Sequence, residues 1–180
     1  GGPRLGGRLT ADLVLGSPQY MNPCGEYELD LRGNTIEAIE NLGVTENQFD
    51  CIDLSENAVL KLEGFPLLPK LKTLLLNHNR IKRIGAKFTE TTPNLETLIL
   101  THNRLARLQD LDPLQGCKGL LRLSLMGNPV TSRQHYRLYV VHLLPRLKML
   151  DFVRVRPKER EAAAAMFGGE GGAEARARAG

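Results

Sequence analysis

Apolar residues recur along this chain in five short triplets, each made of a leucine or isoleucine, one other residue and a leucine. An asparagine stands three positions after every triplet, and successive asparagines are 23, 22, 24 and 25 residues apart. Because side chains alternate across a strand, the two aliphatics of a triplet point to the same side of it. The pattern predicts five similar strands, whose triplets begin at Leu29, Ile52, Leu74, Leu98 and Leu123.

These units are expected to stack side by side. Their length falls in the window of roughly 20–29 residues that is typical of leucine-rich repeats. One such unit cannot bury its own apolar face, so its neighbours must cover it. The asparagine amide turns inward and can bond the backbone groups of the bend that ends the strand. The sequence therefore predicts an α/β leucine-rich repeat solenoid of about five repeats, with a parallel concave sheet and a structural asparagine ladder of Asn34, Asn57, Asn79, Asn103 and Asn128.

Both ends of a stack expose apolar surface and need caps. We assign residues 1–28 to an N-terminal cap segment, 29–130 to the repeats and 131–167 to a C-terminal cap. Residues 168–180 are rich in alanine and glycine, and we expect a tail there that is disordered or only transiently helical. The N-terminal cap is expected to cover the stack with Leu9, Leu13, Val14 and Tyr20.

The C-terminal cap is expected to contain an amphipathic helix. Apolar residues at i, i+3, i+4 and i+7 predict this helix through Tyr136, Tyr139, Val140 and Leu143. Thr131 or Ser132 is expected to cap its start, and Pro145 to end it. A last strand-like segment should then pack through Leu147, Leu150 and Phe152.

Composition agrees with a single domain. The chain has 180 residues, 42% of them hydrophobic, which is enough for one core. No apolar run is long enough to cross a bilayer, and the first residues lack the apolar centre of a secretory signal. The three cysteines are widely spaced and form no C-x-x-C pair, which favours reduced thiols in an intracellular compartment.

Function is expected on the concave face. The front of that face is acidic, and farther along it Leu75, Ile99 and Met126 place apolar groups among polar ones. Apolar side chains rimmed by polar ones indicate a partner-binding patch, although they also fit plain strand propensity. A trough of five strands is roughly 20 Å across and accommodates a helix about 10–12 Å wide. The candidate partner-binding residues are Glu28, Asp30, Asp53, Ser55, Thr73, Leu75, Asn77, Thr97, Ile99, Thr101 and Met126.

Basic residues mark a second surface. Residues 131–160 carry eight Lys or Arg against Asp151 and Glu159, a net charge of +6, whereas the whole chain is only +4. Such an end can meet a phosphate backbone, and it equally fits a solvated helix face. No aromatic platform accompanies these bases, so any RNA contact would be to the backbone and weakly selective.

Enzymatic chemistry finds little support in the pattern. His78 and His102 occupy equivalent positions in adjacent repeats, but no third metal ligand falls in that slot. Asp30 and Asp53 are expected side by side without a nucleophile or an enclosed pocket, which favours recognition over acid–base chemistry. We predict a non-enzyme with no metal, cofactor, small-molecule substrate or membrane association.

The segments between the repeated positions carry a more specific resemblance. These segments are Glu28-Leu-Asp-Leu-Arg-Gly33, Ile39-Glu-Asn-Leu-Gly43, Asp110-Leu-Asp-Pro-Leu114, Asn128-Pro-Val-Thr131 and His135-Tyr-Arg-Leu-Tyr139. In combination and in this order they closely resemble the U2 small nuclear ribonucleoprotein A-prime family of spliceosomal proteins, from about Leu9 to Phe167. The glycine-rich start and the Ala/Gly tail, which lacks a basic run, depart from that family's pattern.

The resemblance implies a nuclear, non-catalytic adaptor in pre-mRNA splicing. Members of that family hold a helix of an RNA-recognition-motif partner, the B-double-prime protein, in the concave sheet. The heterodimer then binds a stem-loop of U2 small nuclear RNA. Carried onto this sequence, the resemblance makes RNA-contact candidates of Arg32, Arg154, Arg156 and Lys158.

A second reading belongs to a different class. A regulatory leucine-rich repeat adaptor, such as an axonemal motor-associated or phosphatase-associated subunit, would share the capped stack but not the full set of motifs. A ciliary rather than a nuclear-speckle location would favour that alternative.

Overall fold

The computed structural model describes residues 7–169 and 171–179, and a single sheet of eight strands forms its concave side. Five parallel strands follow the predicted triplets in order. They are β2 (Tyr27–Asp30), β3 (Cys51–Asp53), β5 (Thr73–Leu75), β7 (Thr97–Ile99) and β8 (Arg122–Ser124). Three further strands, β1 (Gln19–Met21), β9 (Met149–Leu150) and β10 (Val153–Arg154), extend the sheet at its two ends. The predicted leucine-rich repeat architecture is confirmed.

The repeats stack in strict register. The first aliphatics of successive triplets pair across the sheet, each with the next, from Leu29 to Leu123. These side chains and the third members of the triplets are at most 2% exposed. Fully burying one such side chain contributes about 1.5–3 kcal/mol. The core is therefore one continuous column of aliphatic side chains that no single repeat could form.

The ladder asparagines join neighbouring repeats. The Nδ2 amide of Asn103 donates to Leu100 O of its own repeat at 3.0 Å and to Leu76 O of the preceding one at 2.9 Å. Its Oδ1 accepts from Ile81 N at 3.0 Å. Asn57, Asn79 and Asn128 make the equivalent bonds, whereas Asn34, at the front, donates only within its own repeat, to Leu31 O and Arg32 O.

The N-terminal cap combines a short helix and a hairpin. Helix α1 (Ala11–Gly16) starts at Thr10, whose side chain accepts from Leu13 N, and it buries Val14. Strand β1 (Gln19–Met21) then runs antiparallel to β2 and covers the front edge of the sheet. Leu9 is buried as expected, but Tyr20 is 38% exposed, because it lies on β1 opposite Glu28 instead of under the stack.

The convex side returns the chain between strands. It contains two short parallel strands, β4 (Lys61–Leu62) and β6 (Arg83–Ile84), and helix α2 (Phe88–Thr91). 3₁₀ turns at Leu42–Thr45 and Leu108–Gly116 serve the other returns, the second with Pro113 inside it. 3₁₀ turns are common as short connectors between regular elements.

Helix α3 (Tyr136–Leu143) confirms the predicted amphipathic cap helix and buries its four apolar positions. The prediction for its start was wrong: Thr131 and Ser132 lie in a preceding 3₁₀ turn, Pro129–Ser132, and His135 is the residue before the helix. Pro145 follows the helix end as expected.

A hairpin closes the back of the sheet. β9 (Met149–Leu150) pairs parallel with β8 and antiparallel with β10 (Val153–Arg154). Leu150 is buried as expected. The expectation for Phe152 was wrong, since a turn with positive φ at Asp151 and Phe152 directs that ring outward, where it is 62% exposed.

Two further helices complete the C-terminal end. Helix α4 (Pro157–Phe167) packs on α3 and buries Phe167. The expectation of a disordered or only transiently helical tail is corrected, because α5 (Gly172–Arg178) is helical and Ala175 packs against the core cluster. The Ala-rich composition favours a helix once another helix covers it. Within the described residues, no helix is long and apolar enough to cross a membrane.

Candidate functional site

The concave face presents its side chains in three rows that cross the strands. Glu28 is in register with Cys51, Thr73, Thr97 and Arg122 in the first row. Asp30 leads the second row, through Asp53, Leu75, Ile99 and Ser124. The third row follows the strand ends with Arg32, Ser55, Asn77, Thr101 and Met126. The sheet thus brings the eleven residues predicted from the sequence onto one surface.

Glu28, the first residue of the first row, is hydrogen-bonded to other residues of this chain. The Glu28 carboxylate accepts from the Tyr20 hydroxyl, from Asn22 Nδ2 at 3.2 Å and from Cys51 Sγ at 3.2 Å. The hydrogen bond from the Tyr20 hydroxyl to Glu28 raises the pKa of Tyr20 to about 12. Glu28 is only 7% exposed. It fastens the front hairpin to the sheet and offers little surface to a partner.

An ionic cluster follows in the next rows. The guanidinium of Arg32 lies 3.0 Å from Asp30 Oδ2 and 3.6 Å from Asp53 Oδ2. Hydrogen bonds from Arg32 lower the pKa of Asp30, whereas burial raises the pKa of Asp53 despite the same neighbour. Arg32, a residue that the resemblance assigned to RNA, therefore offsets part of the acidic front expected from the sequence.

The middle of the face is the open part of the trough. Leu75 and Ile99 are half-buried neighbours in register, flanked by the half-buried Thr73 and Thr97. Asp53 and Ser55 are at most 7% exposed, so their side chains are less available than the sequence suggested. Thr101 Oγ1 and Ser124 Oγ share a hydrogen bond of 2.9 Å, which holds the floor between the last two repeats.

The apolar surface at the back end of the sheet is larger than the sequence predicted, because Met149, Phe152 and Val153 are exposed there in addition to the predicted Met126. Met126, which follows β8, is 45% exposed. In the hairpin of β9 and β10, Met149 is 37% exposed, Phe152 62% and Val153 58%. The sequence does show an apolar pair, Phe152-Val153, close to Met149. It does not show that these side chains are exposed, because their exposure depends on the positive φ of Asp151 and Phe152. Met149 aligns with Arg122 in the first row, and Val153 lies opposite the buried Leu150, so this patch marks the back end of the sheet and does not extend the row of Leu75 and Ile99.

Comparisons with known proteins agree with this geometry. The leucine-rich repeat family model matches residues 7–179. Human U2 small nuclear ribonucleoprotein A′ is 53% identical over 93% of this chain, and its counterpart from Arabidopsis thaliana is 51% identical over 89%. The crystal structure of the Drosophila melanogaster SNF/U2A′ complex contains a chain with a TM-score of 0.90 and 48% identity, covering 94% of this chain and 98% of that one.

The chain belongs to the U2 small nuclear ribonucleoprotein A′ family. The resemblance inferred from the motifs is thereby confirmed. This A′ family chain spans 66% of the length of the human relative and 64% of the length of the Arabidopsis one.

The basic residues of this A′ family chain divide into two groups. Arg154, Arg156 and Lys158 are exposed and, within residues 7–169 and 171–179, make no ion pair. Arg137 is paired with Glu159 at 2.8 Å. The Arg160 guanidinium donates to Val141 O in α3 at 3.0 Å and to the carbonyls of Leu144 and Leu147, which follow the helix. Part of the +6 charge read from the sequence therefore holds the cap together.

The three cap bases and Arg32 are not brought together by the fold. Arg32 follows β2 at the front of the sheet, whereas Arg154 lies on β10 at the opposite end. The strand order places β3, β5, β7, β8 and β9 between them. The two groups of basic residues are therefore separate on the surface.

Chemistry of the catalytic type has little support in the A′ chain. His78 and His102 are neighbours as predicted, with stacked rings 4.5 Å apart at an interplanar angle of 19°. The described part of the chain holds no group of three or more His, Cys, Asp or Glu placed to bind a metal ion. Burial raises the pKa of the Cys51 thiol, which makes it a poor nucleophile.

Proposed function

We propose that this protein is a non-catalytic component of the U2 spliceosomal ribonucleoprotein in the nucleus. It binds an RNA-recognition-motif protein of the B-double-prime type on its concave face and helps that partner to bind a U2 RNA stem-loop. The observation that carries the proposal is the open middle of the trough, where Leu75 and Ile99 lie half-buried on a rigid, ladder-supported sheet.

The shape of this surface suits a helix. Five parallel strands about 4.8 Å apart form a trough roughly 20 Å across, and a helix with its side chains is about 10–12 Å wide. Leu75 and Ile99 occupy the centre of the trough, while Thr73, Thr97 and Thr101 supply polar positions around them. A buried apolar centre with a polar rim is the usual anatomy of a protein interface. The relative of known structure was solved as a complex with SNF, which supports a protein partner.

The RNA contribution is assigned to the cap. Arg154, Arg156 and Lys158 are exposed and without ion pairs in the described chain, so they are free to meet phosphates. Arg32 is partly committed to Asp30 and Asp53, and its contact with RNA would compete with these carboxylates. We therefore place the main phosphate contacts of the heterodimer on these three basic residues of the C-terminal cap.

The test replaces the apolar centre of the trough. Leu75→Glu with Ile99→Glu puts two charges where a partner's apolar side chains would be desolvated, so we expect partner binding to weaken by about 100-fold or more. Binding is measured by calorimetry or pull-down with a purified B-double-prime protein, and circular dichroism checks the fold.

The matched control is Leu60→Glu with Leu67→Glu. Both leucines are exposed, 47% and 64%, and lie outside the concave strands. The control variant should bind the partner as the unmodified protein does. Equal binding by the trough variant and the control would remove the concave-helix proposal.

A further inference from the structure

The edge of the solenoid at which the strands end carries a row of basic side chains. Arg80 and Arg104 occupy the same slot in adjacent repeats, directly after the ladder asparagines. Backbone bonds keep this alignment, since Arg80 N donates to Val59 O and Arg104 N to Ile81 O, each at 2.9 Å. Lys82 lies next to them, with its N–H bonded to Leu60 O. We call Arg80, Lys82 and Arg104 the basic edge.

In the described chain, the basic edge has no acidic partner, whereas two nearby arginines do. Within the described chain, the side chains of the basic edge make no ion pair or hydrogen bond, and all three are exposed. By contrast, Arg83 and Arg107 share the buried carboxylate of Asp110 at 3.3 and 3.4 Å. Like charges in the same slot of adjacent repeats repel each other, and a bound anion would relieve that repulsion.

The charge is local to the third and fourth repeats. Residues 78–107 contain six Lys or Arg against Glu90 and Glu96. Neither acid belongs to the edge, because Glu90 lies on helix α2 and Glu96 precedes strand β7. In the first two repeats the slot of Arg80 is filled by Thr35 and Ala58.

A flat, rigid group stands beside the basic edge. The imidazoles of His78 and His102 stack 4.5 Å apart, and both side chains are exposed. Both residues have left-handed backbone, with φ of 55° and 56°. Gly127 fills the equivalent position of the fifth repeat, where a Cβ would come within 2.3 Å of His102 Nδ1. Gly127 has no side chain and therefore leaves room for the His102 ring. In the second repeat, the position equivalent to His78 is Glu56.

We propose that this edge is a binding surface for single-stranded RNA. Arg80, Lys82 and Arg104 take phosphates, and the exposed imidazole pair contacts bases or riboses next to them. This surface is separate from the concave face and from the cap bases, since none of its residues lies on a strand of the large sheet or in the cap. The proposal does not depend on the partner protein.

RNA is favoured over an acidic peptide for a chemical reason. Guanidinium groups bind phosphates and carboxylates alike in a planar, two-point geometry, so the choice rests on the exposed imidazole rings beside them. Flat rings suit the stacking of nucleic-acid bases, which an acidic peptide lacks. The phosphate contacts read no sequence because they are made to the RNA backbone, and stacking of bases on flat rings is sequence-tolerant. We expect dissociation constants of about 10⁻⁴–10⁻⁶ M at physiological salt, as is usual for non-specific electrostatic binding.

The test uses the full chain without its partner and a labelled polyuridine oligonucleotide, with binding followed by fluorescence anisotropy across a salt series. The variant is Arg80→Glu with Arg104→Glu. We expect it to bind about 10-fold more weakly, with a salt dependence shallower by about 1.4, or about 0.7 for each phosphate that is no longer neutralised. A second variant, His78→Ala with His102→Ala, should weaken binding with the salt slope unchanged.

The matched control reverses two charges on the opposite edge, Lys118→Glu with Arg146→Glu. Both are exposed, without ion pairs in the described residues, and they precede strands instead of following them. An equal weakening in the control would overturn the proposal, because it would show dependence on net charge alone. Binding of a polyglutamate peptide as tight as that of polyuridine, with the same weakening in the variant, would assign the edge to an acidic protein segment instead.

Binding of the B-double-prime protein distinguishes the RNA proposal for the basic edge from the proposed function of the concave face. Arg80→Glu with Arg104→Glu should leave binding of the B-double-prime protein unchanged, because the concave face is untouched. Loss of partner binding without loss of polyuridine binding would overturn the assignment of this edge to RNA and leave the concave-face test to stand by itself.

Discussion

At the scale of single residues, the ladder shows how one side chain connects two repeats. Asn103 is 5% exposed and satisfies three backbone groups that no strand can pair, two carbonyls and one N–H. An asparagine is suited to this position because one amide supplies both donors and an acceptor in a short side chain. A serine or aspartate could not make all three bonds.

We predict that Asn103→Ala lowers the free energy of unfolding by about 2–4 kcal/mol, because buried backbone groups are left without partners. Urea denaturation followed by circular dichroism measures the change. Asn94→Ala is the control, since its exposed amide makes a single bond to Pro69 O and should cost about 1 kcal/mol or less. Equal destabilisation in the two variants would show that the ladder bonds are not special.

Two aspartates beside one arginine behave in opposite ways. Arg32 lowers the pKa of the more open Asp30, while burial raises the pKa of Asp53. A lowered folded-state pKa means that ionisation of Asp30 stabilises the fold above the ordinary aspartate range. A raised one means that ionisation of Asp53 costs stability there, because the unfolded chain releases its proton more easily.

We therefore predict that Asp53→Asn stabilises the protein at neutral pH, and that the gain disappears as the pH falls below the ordinary aspartate pKa of about 3.9. Asparagine can still accept the Ser55 N–H that Asp53 Oδ1 holds at 2.9 Å. The companion variant Asp30→Asn should have the opposite sign, with a destabilisation at neutral pH that also vanishes in acid. Melting temperatures across a pH series test both, and effects of the same sign would contradict this account.

At the scale of elements, the caps are less regular than the repeats. The helical spacing of Tyr136 to Leu143 predicted α3, but α4 and α5 were not recognised, because their alanines give little amphipathic contrast. Tyr139 joins the three helices: its ring meets Phe167 edge-on at 5.5 Å, and Arg176 lies over it at 5.7 Å. Its hydroxyl donates to Asp112, and burial raises its pKa to about 12.

Tyr139→Ala should destabilise the protein by about 3–5 kcal/mol, because it opens a cavity under the cap and exposes the end of the stack. Hydrogen exchange should show the largest decrease in protection in β8, β9 and α3. Leu15→Ala, at a side chain that is 59% exposed, serves as the control and should stay within about 0.5 kcal/mol. Protection that decreases evenly across all repeats would argue against a local capping role.

At the scale of the whole molecule, the proposed surfaces are separated by the sheet. The trough is the site proposed for a helix, and the three free cap bases lie at the end farthest from Arg32. A protein with this arrangement should bind a structured RNA weakly by itself and tightly with its partner, since each alone offers few phosphate contacts.

Within the heterodimer, the triple change Arg154→Glu, Arg156→Glu and Lys158→Glu should weaken binding of the stem-loop at all sequences alike. The salt dependence should become shallower by about one for each phosphate that is no longer neutralised. The control reverses Lys70, Lys87 and Lys118, which are exposed outside the cap. Tight, stem-loop-selective binding by the isolated chain would refute the proposed division between the two proteins.

Some of the candidate site was within reach of the sequence and some was not. The rows of the concave face follow from strand alternation, so residues from Asp30 to Met126 were placed correctly on one surface. Their exposure was not predictable, because the burial of Glu28 and Asp53 depends on β1 and Arg32. The outward Phe152 depends on two residues with positive φ, which no pattern of apolar positions encodes.

The sequence by itself determined the repeat, its period and the direction in which every leucine and asparagine of the repeated pattern points, because these are local consequences of strand alternation and amide chemistry. Tertiary structure decided which charges are free. Arg32, Arg137 and Arg160 are committed to nearby carboxylates and carbonyls, while Arg80, Arg104 and Arg154 stay without ion pairs in the described chain. The reason is that pairing depends on the distances between repeats, and those distances exist only after the repeats have stacked.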